Sequence, residues 1–383
     1  MQKKFLIKCI NKNNNEPINR RELLKLFGFG SALLLSSCVS KSQNTNAENS
    51  STLPPKASDV PKTSSETDAP KSTESEFSPT DAPTDLPLSL EEEFLQIQQP
   101  LNIDPLSEDE WMSLPIVPEK LSQRMLRLFA LGQEMGRDAR LFSVVGDCQT
   151  IPSYFLGNFD DSLSSSRYTL GDEYAYLQET IDYYKGSYKG GVAAKGGQNV
   201  AAVFSPLWAN PEFCKSDEGP LACELRLKKS VFTFISLEEN WKGDLVGYVN
   251  NLEKVVLYTL SQGVIPILST KANNLEGDHS INRAIVEIAR RYELPLWNFW
   301  ASVQDIPKQG LDADRFHLTF SLNLANNFDS RFYFQDSTQI DTGWGMRNIT
   351  ALMLLDFMRK NLVNEIGLGH QMIFQLERWI RHS

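Results

Sequence analysis

Beyond about residue 89, the chain alternates short apolar runs with amphipathic helical stripes. The apolar runs cover residues 141–145, 231–237, 264–268 and 294–299. The helical stripes place apolar residues three or four positions apart, at Leu121, Met125, Leu128 and Phe129, and again at Leu245, Val249, Leu252 and Val256. Continuous apolar strands alternating with amphipathic helices are typical of a parallel sheet covered on both faces. The pattern therefore predicts an α/β domain over residues 89–383, with a central parallel sheet flanked by helices.

Residues 1–38 have the pattern of an export signal. A basic segment around Arg20 and Arg21, which resembles the twin-arginine export motif, precedes an apolar run over residues 26–35. The run is too short for a permanent membrane span, which needs about 20 apolar residues. The Leu-Ser-Ser that precedes Cys38 resembles a bacterial lipobox, whose cysteine is lipidated and becomes the new N-terminus. We therefore expect export and lipid anchoring through Cys38 at the outer face of a bacterial membrane; a plain Sec signal is the alternative.

Residues 39–88 resemble a tether in composition. Of these 50 residues, 24 are Ser, Thr or Pro, and Phe77 is the only aromatic. Such a segment cannot bury enough apolar surface to offset the entropy of ordering it. We expect an extended stalk that holds the domain away from the membrane.

Charge and cysteine spacing exclude several classes of protein. The net charge is −10 and no basic block is present, which argues against a nucleic-acid partner. The sequence contains no C-x-x-C pair, no H-E-x-x-H and no G-x-x-x-x-G-K-[ST], so zinc fingers, zincins and P-loop NTPases are excluded. Nothing in the sequence calls for a metal or an organic cofactor.

Chemically useful side chains follow the predicted strands. Residues 146–149 (Gly-Asp-Cys-Gln) follow the first run, and residues 238–241 (Glu-Glu-Asn-Trp) follow the second. A glycine-rich turn covers residues 195–199, and residues 312–317 lie in a loop downstream of the fourth run. Because ligands bind at the carboxyl ends of parallel strands, we expect these segments to meet in one site.

The order of these segments resembles the SGNH (GDSL-type) hydrolase family over residues 138–320. The matching positions are Val144–Cys148 for the first block, Gly197 for the second, Phe234–Asn240 for the third, and Asp314 with His317 for the fifth. The resemblance implies a three-layer flavodoxin-like fold and hydrolysis of acyl esters. Acetyl esters of a carbohydrate or an envelope polymer are the expected substrates, the polymer being inferred from location.

The resemblance also implies roles. Cys148 would be the nucleophile, His317 the base and Asp314 the residue that orients His317. Backbone N–H groups of Cys148 and Gly197 and the side chain of Asn240 would bind the oxyanion. The chain departs from the family in three ways: the usual serine is Cys148, the third-block glycine is Glu238, and the Asp after the Asn is Trp241.

These departures leave two alternatives open. One is a catalytically degenerate module on the same fold that binds a glycan, with Cys148 as a small buried residue. The other is an acyltransferase that passes an acyl group from a thioester at Cys148 to another acceptor.

Four further residues are candidate substrate contacts: Asp147, Trp208, Trp241 and His279. Asp278 is expected to cap a helix that starts near Ser280, and core packing is expected of Trp297 and Trp300. Cys214 and Cys223 are nine residues apart in the exported part of the chain, so we expect them to form a disulfide.

Overall fold

The computed structural model describes residues 90–160, 168–238, 243–321 and 340–382, with the side chains of the last segment described as far as residue 362. The predicted signal, the lipidation site at Cys38 and the tether lie outside these residues. The helices are α1 (Leu90–Ile97), α2 (Gln123–Glu134), α3 (Gln178–Tyr183), α4 (Pro220–Lys228), α5 (Leu245–Ser261), α6 (Ser280–Arg291), α7 (Phe299–Ser302) and α8 (Gly343–His382). None of the helices in these ranges combines the length and apolar content needed to cross a membrane.

The strands of the described residues form one fully parallel sheet in the order β1-β2-β3-β4. They are β1 (Asp138–Gly146), β2 (Ser230–Ser236), β3 (Ile265–Ser269) and β4 (Leu296–Trp297). Each of the four predicted apolar runs coincides with one of them. A single parallel bridge between Gly146 and Ala194 extends the sheet beyond the other edge of β1.

Helices cover the sheet on both sides. Phe232 and Phe234, two residues apart on β2, share one face, and Phe232 packs edge-on against Tyr184 at the end of α3. The helices α3 and α8 contact each other. The connections through α4, α5 and α6 each join neighbouring parallel strands. Crossovers of this kind are right-handed in nearly all proteins, from which we expect these three helices to share one face of the sheet. The predicted flavodoxin-like three-layer arrangement is therefore confirmed.

The fourth predicted strand differs in length from the prediction. The run at residues 294–299 gives only a two-residue strand, because the Asn298 side chain ends it. The Asn298 amide accepts a hydrogen bond from Thr270 Oγ1 (3.0 Å) and donates one to the carbonyl of Leu114 (2.9 Å). The C-terminal helix α8 runs from Gly343 to His382.

Candidate active site

The Cys148 turn, which we define as Asp147–Thr150, follows β1 directly. Cys148 begins a single 3-10 turn, and the Asp147 carboxylate caps it by accepting the Gln149 N–H (3.0 Å). The Thr150 hydroxyl donates to the carbonyl of Asp147 (2.7 Å). A Cβ at Gly146 would lie 2.6 Å from the carbonyl oxygen of Ser236, so only glycine fits before the turn. Cys148 is 5% exposed, and the tightly held turn fixes its position at the carboxyl end of the sheet.

The loop of the second block lies against the same turn. The Gly146 N–H donates to the carbonyl of Ala193 (3.0 Å), and the Lys195 N–H donates back to the carbonyl of Gly146 (3.1 Å). Gly197 has a φ of +79°, in the left-handed region that glycine tolerates best. Trp208 is half-buried beside this loop, with its ring centroid 5.4 Å from Lys195 Nζ. Gly197 and Trp208 are therefore brought to the end of the sheet that carries Cys148.

Asp314 and His317 form a hydrogen-bonded pair. Asp314 Oδ2 lies 2.6 Å from His317 Nδ1, and Asp314 Oδ1 accepts the backbone N–H groups of Phe316 (3.1 Å) and His317 (2.9 Å). Burial acts to raise the pKa of the Asp314 carboxyl, but hydrogen bonds from the His317 side chain and from these N–H groups outweigh it and lower that pKa. An ionised Asp314 holds the proton on Nδ1, which leaves Nε2 of a neutral imidazole as the proton acceptor.

A hydrogen bond joins this pair to the Cys148 turn. Gln149 Nε2 donates to the carbonyl of Phe316 at 3.2 Å. Gln149 follows Cys148 and Phe316 precedes His317, so each end of the bond is one residue from a predicted catalytic group. The loop itself is closed by the Asp312 N–H, which donates to the carbonyl of His317 (2.7 Å). The structure thus brings together the first and fifth blocks.

The third block is described only in part. Asn240 and Trp241 lie outside the described residues. Glu238 is buried, and its carboxylate accepts a hydrogen bond from the Ser236 hydroxyl (2.8 Å) at the end of β2. The Glu238 side chain is therefore turned back to the strand end, where a glycine had been expected from the family pattern.

Sequence reasoning missed Arg347, a fully buried arginine on α8. Its Nε donates to the carbonyl of Gln149 (2.9 Å) and its Nη2 donates to Ser236 Oγ (2.7 Å). The signal that could have found it is a charged residue within the apolar face of a helix. Its partners lie far away along the chain, so the sequence could not have named them.

His279 lies in a different cluster, after β3. It has a φ of +54° and its ring packs against Trp111 and Trp300, with centroids 5.5 and 5.8 Å away. Burial lowers the pKa of His279, which favours the neutral imidazole. The Asp278 carboxylate accepts the Ser280 N–H (3.0 Å) at the start of α6, but the N-cap position is His279, so the predicted cap lies one residue too early in the chain.

Two of the remaining predictions concern structure, and a third concerns a substrate contact. Cys214 and Cys223 form the expected disulfide, with their Cα atoms 5.3 Å apart. Trp297 is fully buried, which confirms the predicted core packing, and its Nε1 donates a hydrogen bond to Thr350 Oγ1 (3.1 Å). Asp147, predicted to contact substrate, is fully buried and has a hydrogen-bonding role within the Cys148 turn.

The site contains no metal-binding cluster among the described residues: no group of three or more His, Cys, Asp and Glu side chains there could hold an ion. The fold and the site together define an α/β protein with a cysteine and an Asp–His pair at the carboxyl end of a parallel sheet. The chain matches none of the family models, curated proteins or solved structures with which it was compared.

Proposed function

We propose that the protein is an ester hydrolase of the SGNH type that uses Cys148 as its nucleophile. The observation that carries this proposal is the hydrogen bond between Gln149 and Phe316, which ties the Asp314–His317 pair to the Cys148 turn. The two segments have the residue types that nucleophilic acyl transfer needs, in the same order as in the family.

The chemistry runs in two steps. His317 Nε2 takes the proton of Cys148 as the sulfur attacks the ester carbonyl and forms a tetrahedral oxyanion. The oxyanion then re-forms the carbonyl as the bond between its carbon and the alkoxy oxygen breaks. The alcohol leaves with the proton from His317, and an acyl thioester remains on Cys148. Water, deprotonated by His317, then attacks the thioester and releases a carboxylic acid and the free thiol.

The oxyanion needs hydrogen-bond donors at the carboxyl end of the sheet. The backbone N–H groups of Cys148 and Gly197 and the amide of Asn240 are the proposed donors. The hydrogen bonds between Gly146 and its neighbours Ala193 and Lys195 support this role for the Gly197 loop, because they fix that loop beside the Cys148 turn.

The expected substrate is an acyl ester, with acetyl esters of a carbohydrate or envelope polymer as the first class to test. The proposed export signal and lipidated Cys38 would hold the enzyme at the outer face of a bacterial membrane, where such polymers occur. Trp208, half-buried beside the Gly197 loop, is a surface on which a sugar ring can stack.

The test is multiple-turnover hydrolysis of p-nitrophenyl acetate by the full chain in detergent, compared with Cys148→Ala and His317→Ala. Multiple turnovers are required because any accessible thiol gives a single acylation burst. We expect both variants to lose nearly all turnover; removal of a general base alone costs roughly 100-fold to 10,000-fold.

The remaining outcomes separate the alternatives. Full activity in Cys148→Ala would show that another group is the nucleophile. Turnover by none of the three proteins would favour the glycan-binding module or the acyltransferase. A burst of one acyl group on Cys148, followed by release on addition of a sugar acceptor but not in water, would identify the transferase.

A further inference from the structure

Arg347 connects the ends of two neighbouring strands to the C-terminal helix. Its guanidinium reaches the carbonyl of Gln149, just after β1, and the hydroxyl of Ser236, the last residue of β2. Gln149 in turn donates from its side chain to the carbonyl of Phe316. A continuous chain of hydrogen bonds therefore runs from Arg347 through Gln149 to the loop that carries His317.

Three aromatic rings surround the charge. The Arg347 guanidinium carbon lies 5.3 Å from the ring centroid of Phe155 and 4.8 Å from those of Trp297 and Phe299. Cation–π contacts of this kind replace part of the hydration that the buried charge has lost. They also leave the guanidinium little room to move, so the nitrogen atoms that donate its two hydrogen bonds are held in place.

The Ser236 hydroxyl connects Arg347 to the side chain of Glu238. This hydroxyl accepts from Arg347 Nη2 (2.7 Å) and donates to Glu238 Oε1 (2.8 Å). The buried Glu238 carboxyl group therefore lies one hydroxyl away from the buried guanidinium. The described part of the third block, residues 234–238, is thus attached to the same arginine as the Cys148 turn.

We propose that Arg347 and Ser236 are positioning residues that hold Cys148, His317 and the described part of the third block, residues 234–238, in one fixed geometry. Neither residue needs to touch the substrate. Arg347 acts through the carbonyl of Gln149 on the Cys148 turn, and Ser236 acts on the end of β2. The inference rests on the proposed function for its kinetic readout, whereas access to the Cys148 thiol tests it independently.

The chain offers a matched control for Ser236. Ser230 lies on the same strand, is equally buried, and its hydroxyl donates to Ser143 Oγ (2.9 Å) at the opposite end of β2. Ser236→Ala and Ser230→Ala each remove one buried hydroxyl from this strand; two short hydrogen bonds are lost at Ser236 and one at Ser230. If the role of Ser236 is merely structural, the two changes differ only in their effect on stability. Their effects on kcat and on access to the Cys148 thiol are then equal.

The kinetic experiment compares kcat and KM for p-nitrophenyl acetate in the full chain. We expect Ser236→Ala and Arg347→Lys to lower kcat roughly 10-fold to 100-fold with KM little changed, because small misplacements of reacting groups have effects of that size. Ser230→Ala should keep the wild-type kcat. Equal values of kcat in Ser236→Ala and Ser230→Ala would overturn the proposal.

The second experiment measures alkylation of Cys148 by iodoacetamide, followed by mass spectrometry of its peptide. At about pH 9.5 a free thiol is ionised, so the rate chiefly reports access to the sulfur. We expect Ser236→Ala to raise the rate roughly 10-fold, because a loosened turn exposes a buried thiol, and Ser230→Ala to leave it unchanged. If the wild type lacks turnover yet this difference appears, the hydrolase proposal fails while the positioning role stands; identical rates overturn the positioning role.

Discussion

The carboxylate of Glu224 accepts the backbone N–H of Val192 at 2.6 Å, and this contact joins α4 to the segment that leads into the Gly197 loop. A Cβ at Gly191 would clash with the same carboxylate, so the chain passes very close to it. Burial raises the pKa of Glu224 more than Lys228 and the backbone N–H groups of Val192 and Ala193 lower it. The free-energy cost of burying the Glu224 side chain beside this loop therefore depends on whether its carboxyl group is protonated.

Glu224→Gln should remove this pH dependence while keeping the acceptor. The pKa of Glu224 is raised in the folded state, so the folded protein binds more protons, and the free energy of unfolding falls as pH rises from the ordinary glutamate value through the raised one. Urea unfolding of wild type and Glu224→Gln at pH 5 and pH 8 measures this. We expect the stability of Glu224→Gln relative to wild type to increase between the two values.

Glu224→Leu is the companion variant, because it removes the acceptor for the Val192 N–H as well as the charge. An unsatisfied buried donor costs about 1–3 kcal/mol. The proposed hydrolase activity should fall in Glu224→Leu and persist in Glu224→Gln, since only the first change frees the loop. A Glu224→Gln variant with the same pH dependence as wild type would refute the assignment.

Asp314→Asn should lower turnover of the proposed hydrolase by roughly 100-fold or more. An asparagine amide can donate to Nδ1 and so favour the wrong imidazole tautomer. The same replacement of the triad aspartate in a serine protease lowers kcat for this reason. The pKa of Asp314 is lowered in the folded state. The contribution of the Asp314 carboxylate to the free energy of unfolding is therefore present above the ordinary aspartate pKa and is lost as the pH falls through the lowered pKa.

The matched control is Asp312→Asn, in the same loop. Asp312 is exposed and its carboxylate accepts only the N–H of the next residue, Ala313 (2.8 Å), among the described contacts. Steady-state kinetics at neutral pH should separate the two variants. Equal losses of turnover would mean that the loop, rather than the Asp314–His317 pair, is what the change disturbs.

Local patterns predicted much of this fold. The strand β2 is a continuous apolar run that is buried at every position, and the Asp314–His317 pair needs only three residues of loop. The shortness of β4 could not be predicted, because it depends on a hydrogen bond that Asn298 accepts from Thr270 and one that it donates to Leu114, both distant in sequence.

The residues of the candidate site also fall into two groups, those that the sequence indicates and those that only the folded structure brings together. The sequence indicated Cys148 and His317 from order and spacing, and the structure joins their loops through Gln149. Arg347 was beyond reach, since it lies 198 residues from Gln149 and 111 from Ser236. Asp147 shows the converse: its place after a strand suggests a substrate contact, whereas its carboxylate caps the turn that follows.

Reduction of the Cys214–Cys223 disulfide should lower stability without abolishing the fold. The bridge spans nine residues, and loop-closure entropy for a loop of that size is about 2–3 kcal/mol. Thermal unfolding of the wild type with and without a phosphine reductant measures the change. The double variant Cys214→Ala/Cys223→Ala should match the reduced protein and no longer respond to the reductant, whereas Cys148→Ala should respond as wild type does.

Lys271→Met should be among the most destabilising single changes in the described residues. Lys271 Nζ is paired with the Glu276 carboxylate and donates to Asn273 Oδ1 (2.8 Å), and the side chains of the pair are 3% and 1% exposed. Removing one partner leaves a buried charge without compensation, which costs about 3–5 kcal/mol. Denaturant unfolding at neutral pH measures the loss.

Replacing both partners tests the physical cause. In Lys271→Met/Glu276→Leu neither charge remains, so we expect the stability to return most of the way to that of wild type. The exposed pair between Arg283 and Glu108 (3.4 Å) is the control, and Arg283→Ala should change stability by only about 0–1 kcal/mol. If the double change at 271 and 276 is as damaging as Lys271→Met alone, packing rather than the unpaired charge accounts for the loss.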